Sequence, residues 1–483
     1  MKPRDVFDRD HEWDDLDRFV SAQRAGTSLG LVYGRRRQGK TYLLEALSET
    51  FGGVYFAALQ QSPAQNLARL AEAYRASSGS GGRVVFDEWE SALSSLLSLG
   101  DRAGAPVPIV IDELPYLLEG APQVPSVLQS ILRPRSAAAQ RYSTRLILCG
   151  SAMSTMRGLL AGSAPLRGRA SLEMMVHPFS YREAARFWGI EDPQLALMLH
   201  ALVGGTPAYR DMCASAPSSV SQLERWISST LLNPASAMFR EGRVLLAEES
   251  RVADSALYFA VLAAISQGAT RRGEIASLLG RSEQSLVHPI TVLTDAQLIE
   301  PLSDALRQRR TTYHVAEPVL RFHELVIAPN EPRLLRRLAA QVWREVSDTV
   351  SSKIYGPHFE HLARLWCLEH ASEKSLGGTA SEVAPTVVAC REHAGGHEVD
   401  AVVLESEPGQ RDRITAIGEA KWRTARAGIG QLERLEHVRT LLHAESAKLL
   451  LFSRSGFTPS LTDGALARRD VELVDLPRLY GGA

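Results

Sequence analysis

Gly34-Arg35-Arg36-Arg37-Gln38-Gly39-Lys40-Thr41 spaces two glycines, a lysine and a hydroxyl as G-x-x-x-x-G-K-T, directly after an apolar run. Glycines let successive backbone N–H groups turn toward one anion, and a helix starting at the lysine adds its N-terminal dipole. That chemistry suits a phosphate chain. Gly34, Arg37, Gln38 and Gly39 would line it, Lys40 would neutralise the β- and γ-phosphates, and the Thr41 hydroxyl would ligate Mg²⁺. A second set is Pro108-Ile109-Val110-Ile111-Asp112-Glu113, a buried-strand pattern ending in two carboxylates. Carboxylates in such a place are costly unless a metal or water uses them. Asp112 is expected to hold Mg²⁺ through its water shell, and Glu113 to orient or deprotonate an attacking water. The plainer alternative is an acidic pair capping the next helix. Ser151 follows a third apolar run (145–149) and is a candidate γ-phosphate sensor, although Gly150-Ser151 also reads as a turn. Arg167 and Arg169 are candidates for a charge-stabilising arginine, against a solvated-surface alternative.

A third set lies near the C-terminus: Val399-Asp400, then Gly418-Glu419-Ala420-Lys421. An acid and a lysine two apart on a strand project from one face, and Asp400 on a neighbouring strand brings a second carboxylate to it. Two carboxylates, Asp400 and Glu419, can hold one Mg²⁺ or Mn²⁺, and Lys421 can position or deprotonate a metal-bound water. Glu360 on an upstream helix and Gln431 on a downstream one frame the set. Glu-x-Lys alone is equally a solvated strand face. What sharpens it is scarcity: only six of the 54 basic residues are lysine, and Lys40 and Lys421 are two of them.

These residues need elements to carry them. The chain has 483 residues, a formal net charge of −1, 45% hydrophobic and 23% charged residues. That excludes disorder, collagen and coiled coil as whole-chain readings, and argues against a globally basic nucleic-acid binder. The length suggests roughly two to four domains. The four cysteines, Cys149, Cys213, Cys367 and Cys390, include no CxxC pair, so neither a zinc site nor a disulfide framework is expected. No signal-peptide core precedes residue 20, and the longest apolar runs are about half of the ~20 residues a membrane span needs, so a soluble cytoplasmic protein without membrane contact is expected.

The first half alternates apolar runs (28–33, 54–57, 108–111, 145–149, 172–176) with helical stretches, the α/β pattern. Helical periodicity follows over 181–246. Next come helices at 256–266, 272–279 and 282–296 and two short strands at 298–303 and 311–315, the order of a winged helix-turn-helix. Pro289 is awkward inside the third of those helices. Over 271–324 seven bases balance seven acids, with Arg307, Arg309 and Arg310 as the one cluster, so DNA contact competes with a role as intramolecular spacer. An amphipathic stretch (333–350) leads to a last domain with a helix at 357–367, strands at 386–391, 398–404, 414–418 and 449–453, and a helix at 429–442.

The ordered motifs carry a resemblance. Phe7-Asp8-Arg9-Asp10-His11-Glu12, the glycine loop, Ile111–Leu114, Cys149-Gly150-Ser151, Pro165–Arg169, Gly204-Gly205-Thr206-Pro207 and Glu317–Phe322 resemble the archaeal-type ATPases of the STAND/AAA+ branch of P-loop proteins. The resemblance implies that Arg9 and Pro207 flank an adenine. The last domain resembles the PD-(D/E)XK nucleases, with Val399 where that family has proline. The expected fold is therefore α/β: a P-loop NTPase core (1–180), a helical lid (181–250), a winged helix-turn-helix (251–330), and a linker helix with a restriction-endonuclease-like domain (331–483). The expected function is a nucleotide-dependent switch that binds and hydrolyses ATP with Mg²⁺ and is coupled to a nuclease-like domain with metal-dependent DNA cleavage. The alternative is a non-catalytic ATP-dependent signalling or DNA-binding regulator. ATP, DNA, an unidentified protein and a second copy of the chain are the partners this reading allows.

Overall fold

A computed structural model describes residues 1–79, 82–102, 105–213, 215–247, 255–393, 395–409 and 411–482. The chain divides into two compact units, Met1–Pro178 with Leu245–Ala253, and Phe179–Val244 with Asp254–Ala483.

In the first unit, β1 (Ser28–Tyr33), β2 (Val54–Ala57), β3 (Val107–Asp112), β4 (Thr144–Gly150) and β5 (Ala170–Met175) form one sheet in the order β2-β3-β4-β1-β5. Every pairing is parallel. The strands read as near-continuous apolar runs because helices cover both faces. Val32 packs on one side with Trp13, Leu16 and Leu43, from helices Asp10–Ser21 and Lys40–Thr50. Leu29 and Leu31 pack on the other with Leu67, Leu70, Trp89 and Leu93, from helices Pro63–Ser78 and Trp89–Leu97. Because β4 separates β1 from β3, the loops leaving β1 and β3 open a crevice at the carboxyl edge of the sheet, where ligands bind in such folds. A Cβ at Gly34, the first loop residue, would stand 2.3 Å from the Val176 carbonyl oxygen, so only glycine fits there.

The second unit begins with helices Tyr181–Trp188, Pro193–Val203, Ala208–Met212 and Val220–Ser229, which share a core with Phe322, Trp343 and Tyr355. Gly205 is fixed by a close approach: its carbonyl accepts from the Phe179 N–H, and a Cβ would meet the Phe179 carbonyl oxygen at 1.8 Å. Tyr181 is buried and donates to the Leu479 carbonyl at 2.9 Å, while Arg182 donates to the carbonyls of Leu479 and Gly482.

Three helices (Ser255–Gln267, Arg272–Leu279, Val287–Asp295) then precede an antiparallel hairpin of β6 (Ile299–Asp304) and β7 (Arg307–Val315). The expected third helix starts later than its periodicity suggests. Residues Glu283–Leu286 form a 3₁₀ turn, which places Pro289 in the first turn of the α-helix that follows, where a missing N–H costs little. The side chain of Arg309 lies outside the described residues. The tip of the hairpin is engaged within this unit: Ala305 N–H donates to the Pro385 carbonyl, and Thr386 Oγ1 donates to Asp304 Oδ1 at 2.8 Å. The amphipathic stretch after it is two helices, Ala328–Leu335 and Ala339–Val350, separated where Arg337 turns left-handed at φ 65°.

The last part is a five-stranded sheet in the order β12-β11-β10-β9-β8. Its strands are β8 (Glu382–Cys390), β9 (Gly395–Glu405), β10 (Arg413–Lys421), β11 (Lys448–Ser453) and β12 (Val471–Asp475). β8, β9 and β10 pair antiparallel, and β10, β11 and β12 parallel. Helix Gly356–Glu369 covers one face with Phe359, Leu362 and Trp366. Helix Ile429–Leu441 covers the other with Leu432, Leu435 and Val438. β12 was outside the sequence expectation. Among the described residues no helix is long and apolar enough to cross a membrane.

Candidate functional site

The loop after β1 closes around its own lysine. Lys40 is buried at the start of its helix, and its Nζ donates to the carbonyls of Gly34 (2.7 Å) and Arg35 (2.8 Å). Burial lowers its pKa, with the more distant charges of Asp112 and Glu113 opposing. A buried ammonium whose hydrogen bonds go to carbonyls rather than a carboxylate is a place for an anion. Arg37 (φ 66°) and Gly39 (φ 87°) adopt left-handed conformations that turn the loop backbone. Gln38 is fully buried with neither side-chain polar atom hydrogen-bonded, so its amide is inside the loop rather than on its rim.

β3 delivers the acids to the same edge. Thr41 Oγ1 donates to Asp112 Oδ2 at 2.8 Å, and the Tyr55 hydroxyl donates to the same oxygen at 2.6 Å. The paired hydroxyl and carboxylate are the donor set a Mg²⁺ ion uses beside phosphates, directly or through water. The capping alternative is met only in part. Asp112 Oδ1 accepts the Glu113 N–H at 2.7 Å, but the Glu113 carboxylate makes no cap and its backbone is left-handed at φ 51°. A left-handed non-glycine residue costs about 1–3 kcal/mol and persists where its surroundings hold it. This conformation presents the side chain to Ser151 Oγ, 3.3 Å from Glu113 Oε2, with Arg36 Nε 3.4 Å from that hydroxyl. Burial, then the Asp112 charge, raises the Glu113 pKa, which makes it a stronger base than an exposed glutamate.

The other expected nucleotide residues fall in several places. Arg9, left-handed at φ 58°, donates to the carbonyls of Gln38 (3.1 Å) and His177 (2.7 Å), so it braces the glycine loop from the N-terminal segment. Arg169 donates to the Leu132 carbonyl and Arg167 to that of Gly162. Pro207 belongs to the second unit and precedes helix Ala208–Met212.

Asp400, Glu419 and Lys421 converge. β9 and β10 are in register at Ala401 and Gly418, which sets Asp400 beside Glu419. Lys421 Nζ lies 3.3 Å from Asp400 Oδ2 and 3.4 Å from Glu419 Oε1. Asp400 Oδ2 also accepts the Ala420 N–H, and Arg434 on helix Ile429–Leu441 donates to Glu419 Oε1 at 3.0 Å. Glu419 Oε2 is buried with no hydrogen-bond partner. An orphaned carboxylate oxygen beside a second carboxylate fits a divalent cation. Burial opposes the charge on Lys421, but Asp400 and Glu419 outweigh it and raise its pKa. The lysine is thus held between the two carboxylates, the placement that its expected role beside a metal-bound water requires. Gln431 is engaged elsewhere, its Oε1 accepting the Gly428 N–H at the start of its helix.

Glu360, on helix Gly356–Glu369, is pushed up to about 7 by burial, with the Asp400 charge adding to it. A carboxyl with a raised native pKa binds more protons folded than unfolded, so its contribution to stability falls as pH rises from about 4.5 to about 7. We expect the thermal midpoint of protein stripped of divalent ions to decline across that window, and Glu360→Gln to flatten the decline; unchanged melting curves for the variant would contradict it.

The cysteine spacing pointed to no zinc site, and here the structure differs. Cys390, His393, His397 and His437 gather their ligand atoms within 4.8 Å of one another. The spacing C-x₂-H-x₃-H was visible, but the fourth member arrives from a helix about 40 residues on, and only the fold reveals it.

The parallel sheet, the glycine loop after β1 and the acids ending β3 define a P-loop nucleotide-binding fold. Residues 6–192 match the model of a family described as an ATPase domain predominantly from Archaea, and the N-terminal domain is an archaeal-type ATPase domain. A protein of Methanocaldococcus jannaschii, described only as uncharacterized, is 24% identical over 306 residues, 62% of this chain. The chain spans 64% of that relative's length. Among solved structures, the Walker-type ATPase Paby2304 of Pyrococcus abyssi aligns over 67% of this chain and 97% of its own, at 20% identity and a TM-score of 0.48. The Aeropyrum pernix ORC2 protein, solved as ADPNP–ADP complexes, aligns over 72% and 97%, at 16% identity and a TM-score of 0.44.

Proposed function

We propose that the chain is an ATP-hydrolysing switch whose nucleotide state is passed to a nuclease-like C-terminal domain that cleaves DNA with a divalent metal. The observation that carries the ATP half is the buried Lys40 ammonium bonded to carbonyls of its own loop, next to the Thr41–Asp112 pair. A triphosphate replaces those carbonyls as the counter-charge, and Thr41 with Asp112 holds Mg²⁺, which neutralises phosphate charge. Glu113 takes the proton of the attacking water on its carboxylate, and Ser151 orients that carboxylate. Arg9 supports the loop rather than the phosphates, and Arg169 is a candidate charge stabiliser once freed from Leu132.

In the last domain Asp400 and Glu419 hold Mg²⁺ or Mn²⁺, which polarises a phosphodiester, and Lys421 fixes both carboxylates. The helix order, the Asp400/Glu419-x-Lys421 set and the mixed five-stranded sheet support a PD-(D/E)XK-like assignment. The three helices and hairpin support a winged helix, and because the hairpin tip is bonded to β8 it acts as an internal spacer rather than a DNA reader. A second reading, a non-catalytic ATP-dependent regulator, is favoured by Arg434 and Lys421 already neutralising Glu419.

The test is cleavage of linear and circular DNA with Mg²⁺ or Mn²⁺, with and without ATP. The switch predicts that Lys40→Ala abolishes nucleotide binding and removes any effect of ATP on cleavage, while metal-dependent cleavage itself survives. Tight nucleotide retention without cleavage that Asp400→Ala abolishes would leave the regulator.

A further inference from the structure

We propose that Cys390, His393, His397 and His437 form a zinc site that fastens the β8–β9 hairpin to helix Ile429–Leu441. Cys390 ends β8, His393 lies in the turn, His397 is on β9, and His437 is one helical turn beyond Arg434. Cys390 Sγ lies 3.3 Å from His437 Nε2 and 3.4 Å from His393 Nδ1. The three imidazoles form a closed triangle, with ring centroids 5.0, 5.4 and 5.2 Å apart. His397 Nε2 is buried without a hydrogen-bond partner.

Around one Zn²⁺, ligand atoms at ~2.0–2.3 Å stand about 3.3–3.7 Å from each other along the edges of a tetrahedron. The Cys390 distances already match, and the widest spacing, 4.8 Å, closes with about 1 Å of side-chain adjustment. A thiolate with three imidazoles selects zinc over the hard ions that suit Asp400 and Glu419, so the two sites do not compete for one metal. Four protein ligands leave no open position, which makes the site structural. A Cys–His nucleophile is the rival use of Cys390, but it needs one imidazole, not three around the sulfur.

The site also has a reach. Arg434 donates to Glu419 Oε1 and to the Glu398 carbonyl, so clamping the helix at His437 sets Arg434 over the carboxylate pair. Zinc is thereby a positioning element for the Asp400–Glu419 face, whatever chemistry that face performs.

Full-length protein, purified through a tag without histidine, is expected to carry about one zinc per chain by elemental analysis. Replacement by Co²⁺ gives tetrahedral d–d bands and a thiolate-to-cobalt charge-transfer band. Cys390→Ser removes the charge-transfer band, and the assignment is clean because Cys149, Cys213 and Cys367 are buried in other clusters. His393→Ala changes an exposed turn residue that the fold does not need, and it weakens zinc by more than the ~10–100-fold that loss of an outer-shell partner costs. Zinc well below one per chain with no cobalt band, or a charge-transfer band that persists in Cys390→Ser, overturns the proposal.

Discussion

Glu113→Gln protein binds ATP as the parent does and turns it over about 10²–10⁴-fold more slowly. The amide keeps the size of the side chain and its oxygen for Ser151, 3.3 Å away, but it cannot take a proton from water. Asp112, Thr41 and Lys40 are untouched, so the loop and its anion site persist. The pH profile distinguishes a lost base from a lost fold. Burial and the Asp112 charge raise the Glu113 pKa, so parental kcat/KM falls on the acid side at a higher pH than an ordinary glutamate would give. The variant lacks that limb. Parallel measurements of nucleotide affinity and turnover decide the matter, and normal turnover in the variant would remove Glu113 from the mechanism.

Glu419→Gln has the second large effect. Its carboxylate is buried, one oxygen tied to Lys421 and Arg434 and the other without a partner. The amide halves the anionic charge on that face. We expect divalent-metal-dependent DNA cleavage to drop at least about 100-fold, roughly 2.7 kcal/mol of barrier. The melting point should fall without loss of the fold, because Lys421 and Arg434 each lose a counter-charge while Lys421 keeps Asp400. A variant that unfolds and loses activity together would indicate a structural role, whereas a folded variant with parental cleavage would rule out a cation held by Glu419.

The nucleotide half was legible from local pattern. β1 follows the expected 28–33 run, and β3 ends on Asp112 as its apolar run does, because both strands are buried on two faces and need unbroken hydrophobicity. What could not be read were features made by chain brought from far away. The left-handed Glu113, the Tyr55 bond to Asp112 and the placement of Arg434 over Glu419 leave no periodic trace. Pro289 misled because a proline inside an apolar period looks like a broken helix, when a preceding 3₁₀ turn moves the helix start to meet it. The Asp400, Glu419 and Lys421 convergence was anticipated, but the strength with which the two carboxylates raise the Lys421 pKa against its own burial leaves no trace in the pattern. The histidine cluster escaped because zinc was sought in paired cysteines, and one of its ligands sits on a separate helix.

The bond from Tyr181 to Leu479 spans 298 residues of chain. At ~5–20 residues per second, a ribosome needs about 15–60 s to make that interval. Throughout it Tyr181, at the start of helix Tyr181–Trp188, lacks its final partner, although Trp188 meets Trp226 soon after both are made. The ATPase core upstream has all its strands by then and can fold as synthesis proceeds. The second unit has to wait for nearly the whole chain. Nascent-chain handling should therefore concentrate on the second unit, and substitutions that weaken the Leu479 end should lower soluble yield more than they lower the melting point of molecules that have already folded.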